Sequence, residues 1–130
     1  MIVLDSSAAV HYLVGTELLG DWVEACITAD EDLHAPHVMD VEVVGALRKL
    51  VLKGELARTI ARHALADLEA LDLRRYPHMP FVPRMWQLRD NVQAADACFV
   101  ALAEALDATL VTTDLRLAAA PGVRARFLTP

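Results

Sequence analysis

Aromatic residues make up only 5% of this 130-residue chain, while 55% of it is hydrophobic. Its core must therefore be aliphatic, built from Leu, Val and Ala rather than from stacked rings. Cysteine is as scarce. Cys26 and Cys98 each sit in an apolar helical pattern with no partner at motif spacing. That excludes a disulfide framework, makes both small buried thiols, and suits a reducing cytosol. No apolar run approaches the roughly 18–20 residues a membrane span needs. Met1 to Asp5 reach a charge without a basic leader, so no signal peptide is expected. Lys and Arg are absent from residues 1–47, which hold nine acids; residues 48–130 hold nine acids and all twelve Lys and Arg, within a net charge of −6. The basic surplus of the second part permits contact with phosphates but does not require it.

What is present suits one domain over residues 1–130, long enough to bury a core without staples. Ile2-Val3-Leu4 is a short strand-type run ending at Asp5, and Ser6 and Ser7 offer capping oxygens for a helix over Ala8–Val14. Further helices are predicted over Glu17–Thr28, Val38–Lys53 (stopped by Gly54), Glu55–Leu71, Arg84–Arg89, Ala94–Leu106 and Leu115–Ala120. Short strands are predicted at Leu33–Ala35, Leu73–Tyr76, Thr109–Thr113 and Arg126–Thr129. Strands that alternate with helices, with no tight hairpin signal, imply an α/β fold: a mostly parallel sheet of four to five strands with helices on both sides. Sites in such sheets form beyond the carboxyl ends of the strands, where Asp5 and Asp114 both lie.

Two more acids occupy helix openings. Val43, Leu47, Leu50 and Val51 mark the apolar face of the third helix, and at about 100° per residue Glu42 falls on its flank. Val92, Ala95, Phe99, Leu102, Ala103 and Leu106 form the stripe of the later helix. Asp96 sits on the stripe's edge, with Ala97, Ala101 and Glu104 opposite. A carboxylate facing a core is costly unless paired or bound to a cation, though a helix N-terminus softens that cost. Taken singly, Asp5, Asp96 and Asp114 read equally well as helix caps, and Asp40 as a partner of its helix dipole. Taken jointly, clustered carboxylates call for a hard divalent cation, Mg²⁺ or Mn²⁺. His34 and His37 form only an HxxH in a loop, and His11, His63 and His78 are isolated.

Four segments carry a resemblance: Ile2-Val3-Leu4-Asp5-Ser6-Ser7-Ala8; Pro36 to Val43 and on to Ala46-Leu47-Arg48; Asn91 to Ala97 and on to Ala103; and Leu110-Val111-Thr112-Thr113-Asp114-Leu115-Arg116-Leu117. In this order and separation the chain resembles the PIN-domain family, and within it the VapC-type toxins of bacterial toxin–antitoxin pairs. Ala95 departs from the commoner Tyr before the Asp, and Asp107 and Leu115 are variable positions. The resemblance implies a PIN-like fold and a Mg²⁺- or Mn²⁺-dependent endoribonuclease, with metal ligands Asp5, Glu42, Asp96 and Asp114 and supporting polar residues Ser6, Thr113 and Asn91. It also implies a homodimer, a cognate VapB-type antitoxin and a cytoplasmic setting without a membrane.

The expected chemistry is in-line attack on an RNA phosphodiester by a metal-activated water, with no histidine base. Arg48, Lys49, Lys53 and Arg116, with Arg84 and Arg89, are candidates for positioning RNA. A receiver-type phosphoacceptor would want two acids after the first strand, where Asp5 is followed by Ser6-Ser7. A phosphatase of the haloacid dehalogenase type would want Asp at position 7, which is Ser7. A catalytically silent module that holds an antitoxin-type partner is the remaining alternative. For the antitoxin, a partner helix or tail is expected to lie between helices Glu17–Thr28 and Val38–Leu71, and an antitoxin arginine reaching into the acidic cleft would neutralise it.

Overall fold

The computed structural model describes residues 1–130. Its elements run β1 (Ile2–Leu4), α1 (Ser6–Val14), α2 (Leu19–Ala29), β2 (Leu33–Pro36), α3 (Val38–Leu52), α4 (Arg58–Ala70), β3 (Arg74–Tyr76), a 3-10 turn (Met79–Phe81), α5 (Val82–Gln87), α6 (Ala94–Leu106), β4 (Thr109–Val111), α7 (Leu115–Ala118) and β5 (Arg126–Leu128). The five strands form one sheet in the order β3-β2-β1-β4-β5, and every pairing is parallel. This is the predicted α/β architecture with the upper of the two expected strand counts.

The order has a mechanical consequence. The chain steps outward from β1 through β2 to β3, then crosses back to β4 and steps outward the other way to β5. Right-handed crossovers put α1 to α4 on one face and α5 to α7 on the other. The contacts agree: α1 packs on α2, α3 and α4, while α6 lies on β1, β2 and β4 with α5 against it. The direction reverses between β1 and β4, so a crevice opens beyond their carboxyl ends. Asp5 leaves β1 there, and Thr112 to Asp114 leave β4.

The core holds 27 buried residues, and Phe99 is its only aromatic ring. Leu4, Leu102, Leu110 and Met39 are its other large, fully enclosed side chains. α6 departs from the expected amphipathic stripe. Ala97 and Ala101 are buried along with Cys98, Phe99, Val100, Leu102 and Ala103. A crossover helix pressed between the sheet and α5 has no solvent face to spare, so its small residues serve as close-packing positions.

The one acid on the far side of α6, Glu104, is enclosed by cations. Arg84 gives it a two-pronged ion pair at 2.8 and 3.0 Å and also donates to the Gly122 carbonyl, while the Arg124 backbone N–H donates to Glu104 at 2.8 Å. Arg84 therefore ties α5, α6 and the segment before β5 together, and is not free to position RNA. Removing it strands a carboxylate whose side chain is only 10% exposed. Arg84→Ala is expected to lower stability by about 2–4 kcal/mol, read by denaturant unfolding. Asp40 likewise pairs in two prongs with Arg75 of β3 at 2.7 and 3.0 Å, from the first turn of α3, adding a tertiary link to the expected dipole role.

Four helix starts also differ from expectation, α2 beginning at Leu19 rather than Glu17 and α5 at Val82 rather than Arg84. α1 begins at Ser6, two residues early, because Asp5 itself is the cap and accepts from the Ser6 N–H. α4 begins at Arg58 rather than Glu55. Gly54, at φ +72°, turns the chain out of α3 as its position predicts.

Candidate active site

β1 and β4 pair with Leu4 opposite Val111. One step beyond the ladder, Asp5 therefore comes to lie beside Thr112. Asp5 is 3% exposed and Thr112 wholly buried. The Thr112 hydroxyl donates to Asp5 Oδ2 at 2.6 Å, the Ser7 hydroxyl to the same oxygen at 2.7 Å, and the Ser6 N–H to Oδ1 at 2.9 Å. Three donors hold the carboxylate in one orientation. They favour its charged form, yet burial outweighs them, and the Asp5 carboxyl sits above the usual carboxylate range; repulsion from Asp114 adds to the rise.

The network extends to the other acids. Thr112 Oγ1 accepts from the Asp114 backbone N–H at 3.0 Å. Asp114 Oδ1 accepts from the Arg116 and Leu117 N–H groups at 2.9 and 3.3 Å, so it caps α7. Ser6 Oγ donates to Glu42 Oε1 at 3.0 Å, anchoring the half-buried Glu42. Burial raises Glu42, against the pull of the Ser6 bond, and Asp5 repels it. Asp96 lies in the first turn of α6 and is not its cap, which is Gln93. Its carboxyl is pushed up to about 6, first by burial and then by repulsion from Asp5, Glu42 and Asp114, with no hydrogen bond to offset either. Asp96 thus feels all three other acids. The Cys98 thiol, two residues on and buried, rises to about 11 through burial and the nearby Glu42 charge.

The donor set suits a hard divalent cation: every candidate ligand is an oxygen, and both histidines of the HxxH lie elsewhere. His34 bonds the Tyr76 hydroxyl and Asp32 within the sheet edge, while His37 is exposed at the start of α3. No three acidic, His or Cys side chains close tightly on a single point. The reason is visible in the bonds. Both Asp5 oxygens face protein donors, one Asp114 oxygen serves α7, and Glu42 is turned onto Ser6. Asp96 is the acid whose charge is least satisfied by protein groups, and so the one with most to gain from a cation.

Two depressions border the acids. One, of about 530 Å³, is lined by Ser6, Ser7, Glu42, His11 and Lys49. The other, of about 330 Å³, is lined by Asn91, Gln93, Asp96, Asp114 and Arg116. Lys49, Arg116 and Asn91 are therefore brought to the acids. Arg48 instead borders an apolar groove between α3 and α4, with Val44, Leu47 and Leu52. Lys53 caps the far end of α3, about 16 Å along the helix from Glu42. Thr113 contributes its backbone N–H, to Ser7 Oγ at 3.4 Å, rather than its hydroxyl. Thr112 and Ser7 are the residues that sequence reasoning missed. The register of β1 against β4 singles out Thr112, and the turn from Asp5 into α1 singles out Ser7.

The fold and site together define a doubly wound parallel domain with an acidic, oxygen-only centre at its switch point. The chain belongs to the PIN-domain family, whose profile its sequence matches over residues 2–123. It is 43% identical over 117 residues to ribonuclease VapC9 of Mycobacterium tuberculosis, covering 90% of this chain and 88% of that one. It is 44% identical over 122 residues to ribonuclease VapC1 of the same organism, covering 93% and 91%. Among solved structures, VapC20 of M. tuberculosis, described as a sarcin-ricin loop cleaving toxin, superposes with a TM-score of 0.72 at 14% identity, covering 97% of this chain and 99% of that one. A DNA-bound VapBC complex from Salmonella typhimurium gives 0.70 at 13% identity, covering 98% and 96%. At those identities the two structures bear on the fold alone.

Proposed function

We propose that the protein is a Mg²⁺- or Mn²⁺-dependent endoribonuclease and the toxin of a type II toxin–antitoxin module. The observation that carries this reading is the gathering of four acids at the sheet's switch point: Asp96 and Asp114 line one depression, Thr112 joins Asp114 to Asp5, and Ser6 joins Asp5 to Glu42. Four carboxylates held together against their own repulsion are retained at a cost that a bound cation offsets. The similarity to VapC ribonucleases supplies the substrate class.

When bound, the cation supplies an acidified water as nucleophile and positive charge for the phosphoryl oxygens. The chain's own residues do the rest. Asp5, Glu42, Asp96 and Asp114 hold the ion, with Asp5 fixed by Thr112, Ser7 and the Ser6 N–H. Ser6 keeps Glu42 from swinging out. Lys49 and Arg116, one in each flanking depression, accept the phosphates on either side of the cut bond, where the acids alone would repel them. Asn91 contributes a neutral amide to the same wall. His11 borders the depression that holds Glu42, but a cation-acidified water needs no histidine base.

The setting we propose is the one the sequence resemblance implies: a cytoplasmic homodimer held in check by a VapB-type antitoxin. No helix of the protein is long and apolar enough to cross a membrane.

Purified protein is expected to cut single-stranded or structured RNA with Mg²⁺ or Mn²⁺ and to lose that activity in EDTA. Asp5→Asn is expected to cut at least about 100-fold more slowly, since loss of a ligand should exceed the 10–100-fold effect typical of its supporting groups. Cleavage by Asp5→Asn at the parent rate would remove the metal mechanism. Antitoxin binding with no cleavage under any metal would favour the silent binding module instead.

A further inference from the structure

Beside the acidic centre lies a feature that the proposed chemistry leaves unused. Trp86, near the end of α5, is 67% exposed, an unusual placement for the largest apolar side chain. The Arg89 guanidinium stacks on its ring, 4.5 Å from the centroid, and donates to the Trp86 carbonyl at 2.9 Å. The indole is thus backed by a cation while most of its surface stays open to solvent. Trp86 and Arg89 border a shallow depression of about 320 Å³ with Val82, Met85, Val92 and Gln93, and Arg89 is its one charged residue. Val92 and Gln93 also border the depression that holds Asp96, Asp114 and Arg116. The two hollows are neighbours across a single short segment. Gln93 is exposed and spends no side-chain bond on capping α6, which leaves its amide free between them.

We propose that Trp86, braced by Arg89, is a stacking platform for an unpaired base of the RNA strand, one or two nucleotides from the phosphate at the acidic centre. This rests on the ribonuclease reading above. An acidic site grips its substrate poorly through phosphates alone, so holding a base nearby supplies what the acids cannot. Unpaired bases are held by aromatic faces and guanidinium planes, and stacking is tolerant of sequence. Here both partners are present and already locked together, so little side-chain freedom is lost on binding. Arg89 is the one charge lining this hollow and is positive, which suits a phosphate chain leaving the acids. Gln93 is placed to hydrogen-bond an edge of the stacked base.

Two measurements test this. In the first, a short single-stranded homopolymer RNA is titrated into the protein with EDTA present, so nothing is cut, and tryptophan emission is followed. Trp22 and Trp86 are the only tryptophans. Saturable quenching is expected in the parent and its loss in Trp86→Phe, which keeps Trp22. In the second, steady-state cleavage is measured. Trp86→Ala is expected to raise KM about tenfold with kcat nearly unchanged, Trp86→Phe to raise it less, and Arg89→Ala to raise it as well. Should Trp86→Ala fail to fold, the Phe and Arg89 variants carry the test. Unchanged KM in these variants together with absent quenching would overturn the platform. So would a shift in subunit state on gel filtration with KM unaltered, which would assign the face to a protein contact. Quenching in a protein that cuts no RNA with any metal would sink the ribonuclease reading and leave the platform standing.

Discussion

Asp96→Asn is expected to do two opposite things: reduce metal-dependent RNA cleavage by at least about 100-fold and raise the melting temperature of the metal-free protein. The first effect is loss of a ligand. The second follows from the site's electrostatics. The Asp96 carboxyl stands at about 6 in the folded protein against 3.8 for a free aspartate, raised by burial and by three neighbouring acids. A raised carboxyl binds its proton more tightly in the folded state, so stability falls as pH rises through the interval between 3.8 and about 6, and the full penalty applies above it. For a fully enclosed group a rise of this size corresponds to about 3 kcal/mol, but Asp96 is only partly buried and solvent screening reduces the penalty to about 1–2 kcal/mol. Asparagine forfeits the favourable placement of an anion in the first turn of α6, worth about 0.3–1 kcal/mol, which is the smaller effect. The variant should therefore melt a few degrees higher in EDTA at neutral pH, and the gap should close as the buffer is taken below the window. Mg²⁺ should raise the parent's melting temperature and leave the variant's nearly unchanged. A variant less stable than the parent in EDTA would mean that Asp96 is held by bonds rather than strained by charge.

Local pattern and tertiary placement divide the protein into parts that were legible from sequence and parts that were not. The alternation of short β-branched runs with amphipathic helices declared a parallel sheet, and the acids after the first and fourth strands lie where such a sheet opens. Asp5 and Asp96 stood out by local pattern, one ending a core strand and the other on the edge of an apolar stripe, although each taken singly read equally well as a helix cap. Glu42 is harder, because a glutamate on a helix flank is ordinary. The bond from Ser6 Oγ to Glu42 Oε1, 3.0 Å across 36 residues, is what anchors it at the centre. The cations were the least legible. Lys49 and Arg48 are adjacent in sequence, yet one lines the acidic depression and the other the α3–α4 groove, because one residue is about 100° of rotation on a helix. Arg84 and Arg116 look alike in sequence. Arg84 is locked to Glu104, while Arg116 stands beside Asp96 and Asp114, a difference set by tertiary partners alone.

The sharpest of these differences lies between two adjacent threonines, and it leads to the last expected result. Thr112→Val should lower stability by about 1–3 kcal/mol and cleavage by about 10–100-fold, while Thr113→Val should do little to either. Valine keeps the shape and β-branching of threonine, so the β4 end and its packing are preserved. What disappears is one hydroxyl with three contacts: its donation to Asp5 Oδ2 at 2.6 Å, its acceptance from the Asp114 N–H at 3.0 Å and a longer contact with the Ser7 hydroxyl at 3.4 Å. The Asp114 N–H is then left near a wholly buried position without its partner, and Asp5 keeps only the Ser7 hydroxyl on that oxygen. Losing a donor to the ionised form also pushes the Asp5 carboxyl further up. The acid limb of the pH–rate profile should therefore move to higher pH, a change that simple loss of packing would not produce. Thr112→Ser, which keeps the hydroxyl, should recover most of the rate. Denaturant unfolding, a pH–rate profile and the serine rescue together read the network directly. A Thr112→Val protein with parent stability and parent rate would mean that Asp5 needs no orienting partner. If both expectations hold, two residues of one centre will have moved stability in opposite directions while both lowered activity. That pairing separates the charge the centre carries for its cation from the hydrogen bonds that hold the charge in place.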